Sequence, residues 1–152
     1  MRRVFISAFI ASAVVSILAL FLLATHLFGG AGPGGGKYFL VDVSGERFII
    51  YVTDEETIKL ARDNMKGLNN LFPMGELERG DGGFNRPWSW HLRPDTVRMV
   101  EFSIELCDGR PSYVESELDY WIDTVKSYCP WSGRIVAEAD NPAELQAGVP
   151  NK

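Results

Sequence analysis

The chain has 152 residues, 15 of them Lys or Arg and 20 Asp or Glu, for a formal net charge of −5. All 20 acidic residues but only 13 of the 15 basic ones lie beyond residue 36, so that part carries −7. Such a surface argues against nucleic acid and anionic lipid headgroups as partners and favours cations or basic protein surfaces.

Met1-Arg2-Arg3 precede 25 residues, Val4 to Phe28, without one formal charge. As a helix this run extends about 37 Å, enough to cross a hydrocarbon core with some tilt. It predicts an N-terminal signal anchor over residues 1–28. Arg2 and Arg3 then hold the N-terminus inside, and the rest lies outside the cytoplasm at the cell membrane. A cleaved signal ending near Gly29-Gly30-Ala31, and hence secretion, is the alternative. His26, near the outer end, reads as an interfacial residue. GGAGPGGG, residues 29–36, is a flexible linker reaching about 16 Å on average. Residues 37–139 form one extracytoplasmic domain with a modest core that gains from a covalent staple. DNPAELQAGVPNK, residues 140–152, has no apolar periodicity and reads as a disordered tail.

Within the domain, KYFLVDV and RFIIYVT flank Ser44-Gly45-Glu46, a hairpin signal. Thr53 and Glu56 have the spacing of a capping box, with Thr53 as the cap. The helix it opens carries Ile58, Ala61 and Met65 on one face and stops at Gly67. FPMGELER returns as a strand and RGDGGFNRP is a loop. WSWHL and VRMVEFSIELC read as two further strands around Arg93-Pro94-Asp95. Burying their apolar sets together sets Trp90 opposite Val100 and Trp88 opposite Phe102, with Ile104 and Leu106 on the same face. Pro111 suits the first turn of a second helix, in which Val114, Leu118, Trp121 and Val125 make one buried stripe. RIVAE is the last strand. The expected fold is α+β, a small antiparallel sheet with two helices on one face and the other face left partly to solvent.

Cys107 and Cys129, outside the membrane and without C-x-x-C spacing, predict a structural disulfide contributing about 3 kcal/mol on the chain-entropy view. The expected strand register sets Ser89 across from Glu101 and His91 diagonal to it. A hydrolase would use Ser89 or Ser103 as nucleophile, His91 as base and Glu101 to orient it, but no G-x-S-x-G elbow supports this. A metal-dependent site would join His91 to Glu101 or Glu105, with no second histidine in the domain to complete it. The plainer reading is a surface histidine paired with a carboxylate. Glu115, Asp119 and Asp123 fall at i, i+4 and i+8, with Glu117 nearby, so like charges stack along one helical ridge. Calcium or a basic partner would offset that cost; a merely solvated face is the plain alternative. Asp81-Gly82-Gly83 does not begin an EF-hand loop.

FIIYVTD, the Ala61-Arg62 pair, FNRPWSWHL, ELCD, YVESELD and CPWSGR together make the chain resemble a family of small exported disulfide-containing domains. Members of that family occur in bacteria and at the N-terminus of an amoebal protein with calcium- or calmodulin-related labels. The resemblance covers residues 38–138. It implies a single disulfide-linked domain, no established catalytic activity and slight weight for a cation at the acidic ridge. The chain departs from the pattern in a short spacer, VKSY, before Cys129. Pro87-Trp88 is also similar to the Pro-Trp hairpin of cystatin-type protease inhibitors, whose Q-x-V-x-G loop is absent.

The expected function is therefore a membrane-tethered extracytoplasmic binding or structural module. Its partner would be an envelope or cell-surface protein, not nucleic acid. Weakly bound calcium is the one accessory ion expected, and no other cofactor. The alternative is an enzyme, hydrolytic or metal-dependent, centred on His91 and Glu101.

Overall fold

The computed structural model describes residues 35–149. The membrane span expected over residues 4–28 lies outside them, as does the linker up to residue 34. No helix among the described residues is long and apolar enough to cross a membrane. The elements are β1 (Lys37–Val43), β2 (Glu46–Val52), α1 (Glu55–Met65), β3 (Phe72–Arg79), β4 (Trp90–Leu92), β5 (Arg98–Val100), α2 (Pro111–Ser116), α3 (Leu118–Tyr120), β6 (Ser127–Tyr128), β7 (Arg134–Ala139) and α4 (Pro142–Gln146).

β1 and β2 form the expected hairpin. Val43 pairs with Glu46 around a two-residue turn in which Ser44 and Gly45 have φ of 54° and 91°. Two positive φ values match the twist of the strands they join, and Gly45 adopts its value without a Cβ penalty. β7 pairs with the other edge of β1, giving an antiparallel sheet in the order β2-β1-β7. The second sheet is organised on β3, which pairs antiparallel with β4, β5 and β6.

This second sheet corrects the expected pairing of WSWHL with VRMVEF. Both segments pair with β3 instead, through Leu77 with Leu92 and Phe72 with Val100. Their registers along β3 differ by three residues, the length of the 3-10 turn Pro94–Thr96 inserted between them. Val100 meets the first residue of β3, so the chain beyond it has no partner strand there. Phe102, Ile104 and Leu106 accordingly leave the sheet, and the expectation that they share a buried face with the tryptophans is wrong.

The fold is α+β, but the expected single sheet with one solvent-facing side is replaced by two sheets. β1 and β2 each bury three consecutive residues, Phe39-Leu40-Val41 and Phe48-Ile49-Ile50, so both faces of the ribbon are covered. Phe48, on the face shared with Val41, meets the rings of Trp90 and Tyr128 from the second sheet. On the opposite face Phe84 packs against Tyr38 and Tyr51, and Gly148 lies close against Leu40. That second cover includes the segment expected to be a disordered tail. Residues 142–146 form α4, and Leu145 and Val149 are buried in the core. One apolar anchor on a five-residue helix and another three residues beyond it leave no periodicity to read, yet the Leu40 and Ile49 face requires them.

α1 begins one residue later than expected. Asp54, in extended conformation, accepts from Thr57 N at 2.8 Å and Thr57 Oγ1 at 2.6 Å, and Thr53 stays exposed. The cap satisfies a backbone donor that the first helical turn leaves over. The helix buries Ile58 and Ala61 and is held to β7 by the two-pronged contact of Arg62 with Glu138, 2.8 and 2.6 Å. The second expected helix is broken in three. α2 ends at Ser116, Glu117 adopts φ −122° and ψ 41°, and a π-helical turn, Trp121–Val125, follows α3. Its apolar stripe survives the breaks, with Val114 and Trp121 buried and Leu118 and Val125 half-buried.

Candidate binding surface

The segment FNRPWSWHL is a structural corner that closes the edge of the first sheet. Asn85 is fully buried; its Oδ1 accepts from Ile49 N at 2.7 Å and its Nδ2 donates to Trp90 O at 2.8 Å. Trp88 Nε1 donates to Arg47 O at 2.8 Å. Arg47 and Ile49 stand on the outer edge of β2, where unpaired backbone groups otherwise invite another strand. Asn64 does the same for β7, with its Oδ1 accepting from Ile135 N at 3.0 Å. Trp90 is fully buried among Phe48, Trp88 and Tyr128, and its Nε1 has no acceptor among the described residues. Both tryptophans are thus core, as expected, although through a different register.

His91 is buried rather than a surface residue. Its Nδ1 lies 2.7 Å from the carbonyl of Gly80, which can only accept, so Nδ1 carries the proton. Its Nε2 lies 3.3 Å from Glu78, not Glu101, because β4 faces β3 across this register. Gly82 (φ 61°) backs the ring so closely that a Cβ there would sit 2.8 Å from it. Nearby Asp81 is held below the usual carboxylate range by the Gly83 N–H and the Arg86 guanidinium. Ser89 donates through both N and Oγ to Glu115, each at 2.9 Å. Ser103 Oγ lies 3.3 Å from Cys107 Sγ and 3.5 Å from Met74 Sδ. Glu101 lines a surface groove with Phe102. Of Ser89, His91, Glu101 and Ser103, offered by the sequence as a catalytic set, the first two and the last therefore engage other partners, and no two of the four are bonded to each other.

Glu115, Asp119 and Asp123 do not stand on one continuous ridge, because the break at Glu117 separates the first from the other two. Glu115 holds Ser89, and Asp119 pairs with Arg79 at 2.8 Å. Among the described residues no three His, Cys, Asp or Glu side chains are grouped to hold a metal ion.

Three residues that the sequence assigned to the core, Phe102, Ile104 and Leu106, are exposed, and so is Trp131. Phe102 is 85% exposed, Ile104 66%, Leu106 53% and Trp131 42%. Phe102 and Trp131 line one groove of about 320 Å³ together with Asn70, Phe72, Glu101 and Ser103. The expected disulfide, Cys107–Cys129, lies directly beneath, with a Cα–Cα distance of 5.1 Å and both cysteines buried. Cys129 N donates to Cys107 O at 2.8 Å, Cys107 N to Ile104 O at 3.3 Å, and Trp131 N to the Asp108 carboxylate at 2.8 Å. The 102–106 and 129–131 segments are therefore fixed to each other while their apolar side chains point into water. Alternation at 102, 104 and 106 predicts one strand face, but the strand ends at Val100 and the chain enters a 3-10 turn at Glu105–Cys107. What alternation could not show was that the partner strand ends at Phe72.

These features define a small disulfide-linked α+β domain in which two antiparallel sheets enclose an aromatic core and one braced loop carries an apolar surface. The chain belongs to the BP-74 N-terminal domain family, whose match spans residues 36–142. No curated protein and no solved structure is detectably similar to it.

Proposed function

We propose that the domain is a protein-binding module, held outside the cytoplasm by residues 4–28, and that it meets its partner through Phe102, Ile104, Leu106 and Trp131. The observation that supports this reading is the exposure of four large apolar side chains on two segments that a disulfide ties together. A single exposed leucine is ordinary, whereas grouped aromatic and aliphatic side chains mark interaction surfaces. Rigid aromatic side chains also lose little entropy on docking, which is why they dominate binding hot spots. The partner is an envelope or cell-surface protein, since a short linker keeps the domain beside the bilayer.

The test is crosslinking at the intact membrane with the full chain and with the triple variant Phe102→Ala, Ile104→Ser, Leu106→Ser. The variant loses the main crosslinked species while its thermal unfolding is unchanged. Persistence of that species overturns the reading. The tether has its own test. The protein stays in the membrane fraction after alkaline carbonate extraction, with residues 37 onward open to external protease. Recovery of a soluble form beginning near Gly32 shows instead a cleaved signal.

A further inference from the structure

We propose that the segment seated on this surface is apolar and flanked by lysine or arginine side chains of the partner protein. The inference rests on the reading of the surface as a protein-binding one. It is carried by the carboxylates at its rim. Glu101 lines the groove beside Phe102 and Trp131, and Glu105 stands exposed between Ile104 and Leu106. Several of the domain's other acids are paired with its own bases, Asp42 with Arg47, Asp81 with Arg86, Asp119 with Arg79 and Glu138 with Arg62, but these lie away from the groove. Glu101 and Glu105 form no ion pair with any described residue. An apolar centre with a polar rim is the general anatomy of a protein interface, and Glu101 and Glu105 put two negative charges beside this one.

That sign selects among occupants. A second copy would bring like carboxylates together in a desolvated contact, which is strongly unfavourable. An anionic bilayer surface meets the same repulsion. Residues 4–28 are apolar but carry no base, and in the proposed topology they lie in the membrane. A basic-flanked apolar segment satisfies both parts of the surface, and the −7 charge beyond residue 36 steers such a partner toward it.

The experiment places a photoreactive benzoylphenylalanine at position 102 of the full chain in its native membrane and sequences the crosslinked segment by mass spectrometry. The expected result is a segment of another protein with Lys or Arg within a few residues of the crosslink. Glu101→Lys combined with Glu105→Lys lowers the yield at least about tenfold, as rim charge reversal does at complementary interfaces, while Glu101→Gln with Glu105→Gln gives an intermediate loss. Protease resistance of each variant, unchanged from the parent, shows that the fold is intact. A crosslinked segment without bases, a second copy of this chain, or a yield indifferent to both charge variants overturns the inference and leaves the binding surface standing. Crosslinks only to lipid, only to residues 4–28, or none at all overturn the binding surface itself.

Discussion

Two apolar segments of this chain, 84–92 and 101–106, look alike in composition and end in opposite surroundings. The first holds Phe84, Trp88, Trp90 and Leu92, all buried; the second holds Phe102, Ile104 and Leu106, all exposed. The difference lies in their polar neighbours, not their hydrophobicity. Asn85 and Trp88 give the first segment side-chain bonds to the edge of β2, and these hold the aromatic rings against the core. The second segment loses its partner when β3 begins at Phe72, and what holds it is the disulfide beside it and the local contacts of Ser103 and Ile104 with Cys107. Apolar content makes a segment eligible for the core, but backbone partners decide whether it gets there.

The largest effect that would break this comparison is expected at Trp90. Its ring is fully enclosed by Phe48, Trp88 and Tyr128. Trp90→Ala should destabilise the domain by about 3–5 kcal/mol, as large core truncations do, read as a shift of the denaturant midpoint. A loss below about 1 kcal/mol would place the corner with the second segment.

Next comes the disulfide, which closes a separation of 22 residues around α2 and α3. Replacing Cys107 and Cys129 together by serine should cost about 3 kcal/mol on the chain-entropy view. Crosslinking from position 102 should fall as well, because the loop loses its brace. Retained stability with lost crosslinking would mean that the bond serves the surface more than the fold.

Asn85→Ala should cost about 1–3 kcal/mol, since it leaves the Ile49 donor and the Trp90 carbonyl without their buried partner. Thermal unfolding reads this, and hydrogen exchange at Ile49 should accelerate if the bond is the one described.

Acid should weaken the two-sheet frame by a further, smaller amount. The Arg62 fork holds Glu138 below its ordinary value, and the Thr57 side chain and amide do the same for Asp54. A carboxylate lowered by folding binds fewer protons in the folded than in the unfolded state. Its contribution is present above the unfolded value of about 4 and is lost as pH falls through the folded one. The melting temperature should therefore drop below about pH 4, and Arg62→Gln should flatten the part due to Glu138. At the alkaline end burial raises Tyr128 well above its ordinary value, so its contribution holds below about pH 10 and is lost above it.

Much of this architecture was legible in the sequence. The hairpin, the strand at 72–79, the disulfide and the burial of Trp88 and Trp90 all follow from local signals: turn residues, alternation and cysteine placement. The helix start at Asp54 was missed by one residue, because Thr53 and Asp54 both have capping side chains and only backbone geometry separates them. The surface was not legible, for a physical reason. Alternation at 102, 104 and 106 reports a shared face only while the chain stays in a strand, and here the strand ends at Val100. The catalytic set around His91 failed for the same cause, since its geometry depended on pairing 88–92 with 99–106. β3 takes both partners instead.

The smallest effect on stability should come from Phe102→Ala, and it bears most directly on function. At 85% exposure the ring gains little from folding, so its removal should change unfolding free energy by no more than about 0.5 kcal/mol. The same change removes the most exposed apolar side chain from the groove it shares with Trp131. If the surface binds as proposed, a central aromatic contact should cost the complex about 2 kcal/mol or more, roughly a thirtyfold loss of affinity. Capture at the intact membrane by an affinity-tagged chain reads the second quantity, and denaturant unfolding reads the first. Trp90→Ala should show the opposite pattern in its first measurement, with binding lost only in proportion to unfolding. A Phe102→Ala protein that is strongly destabilised would mean that this loop folds back on the core, and the contrast between the two segments would disappear.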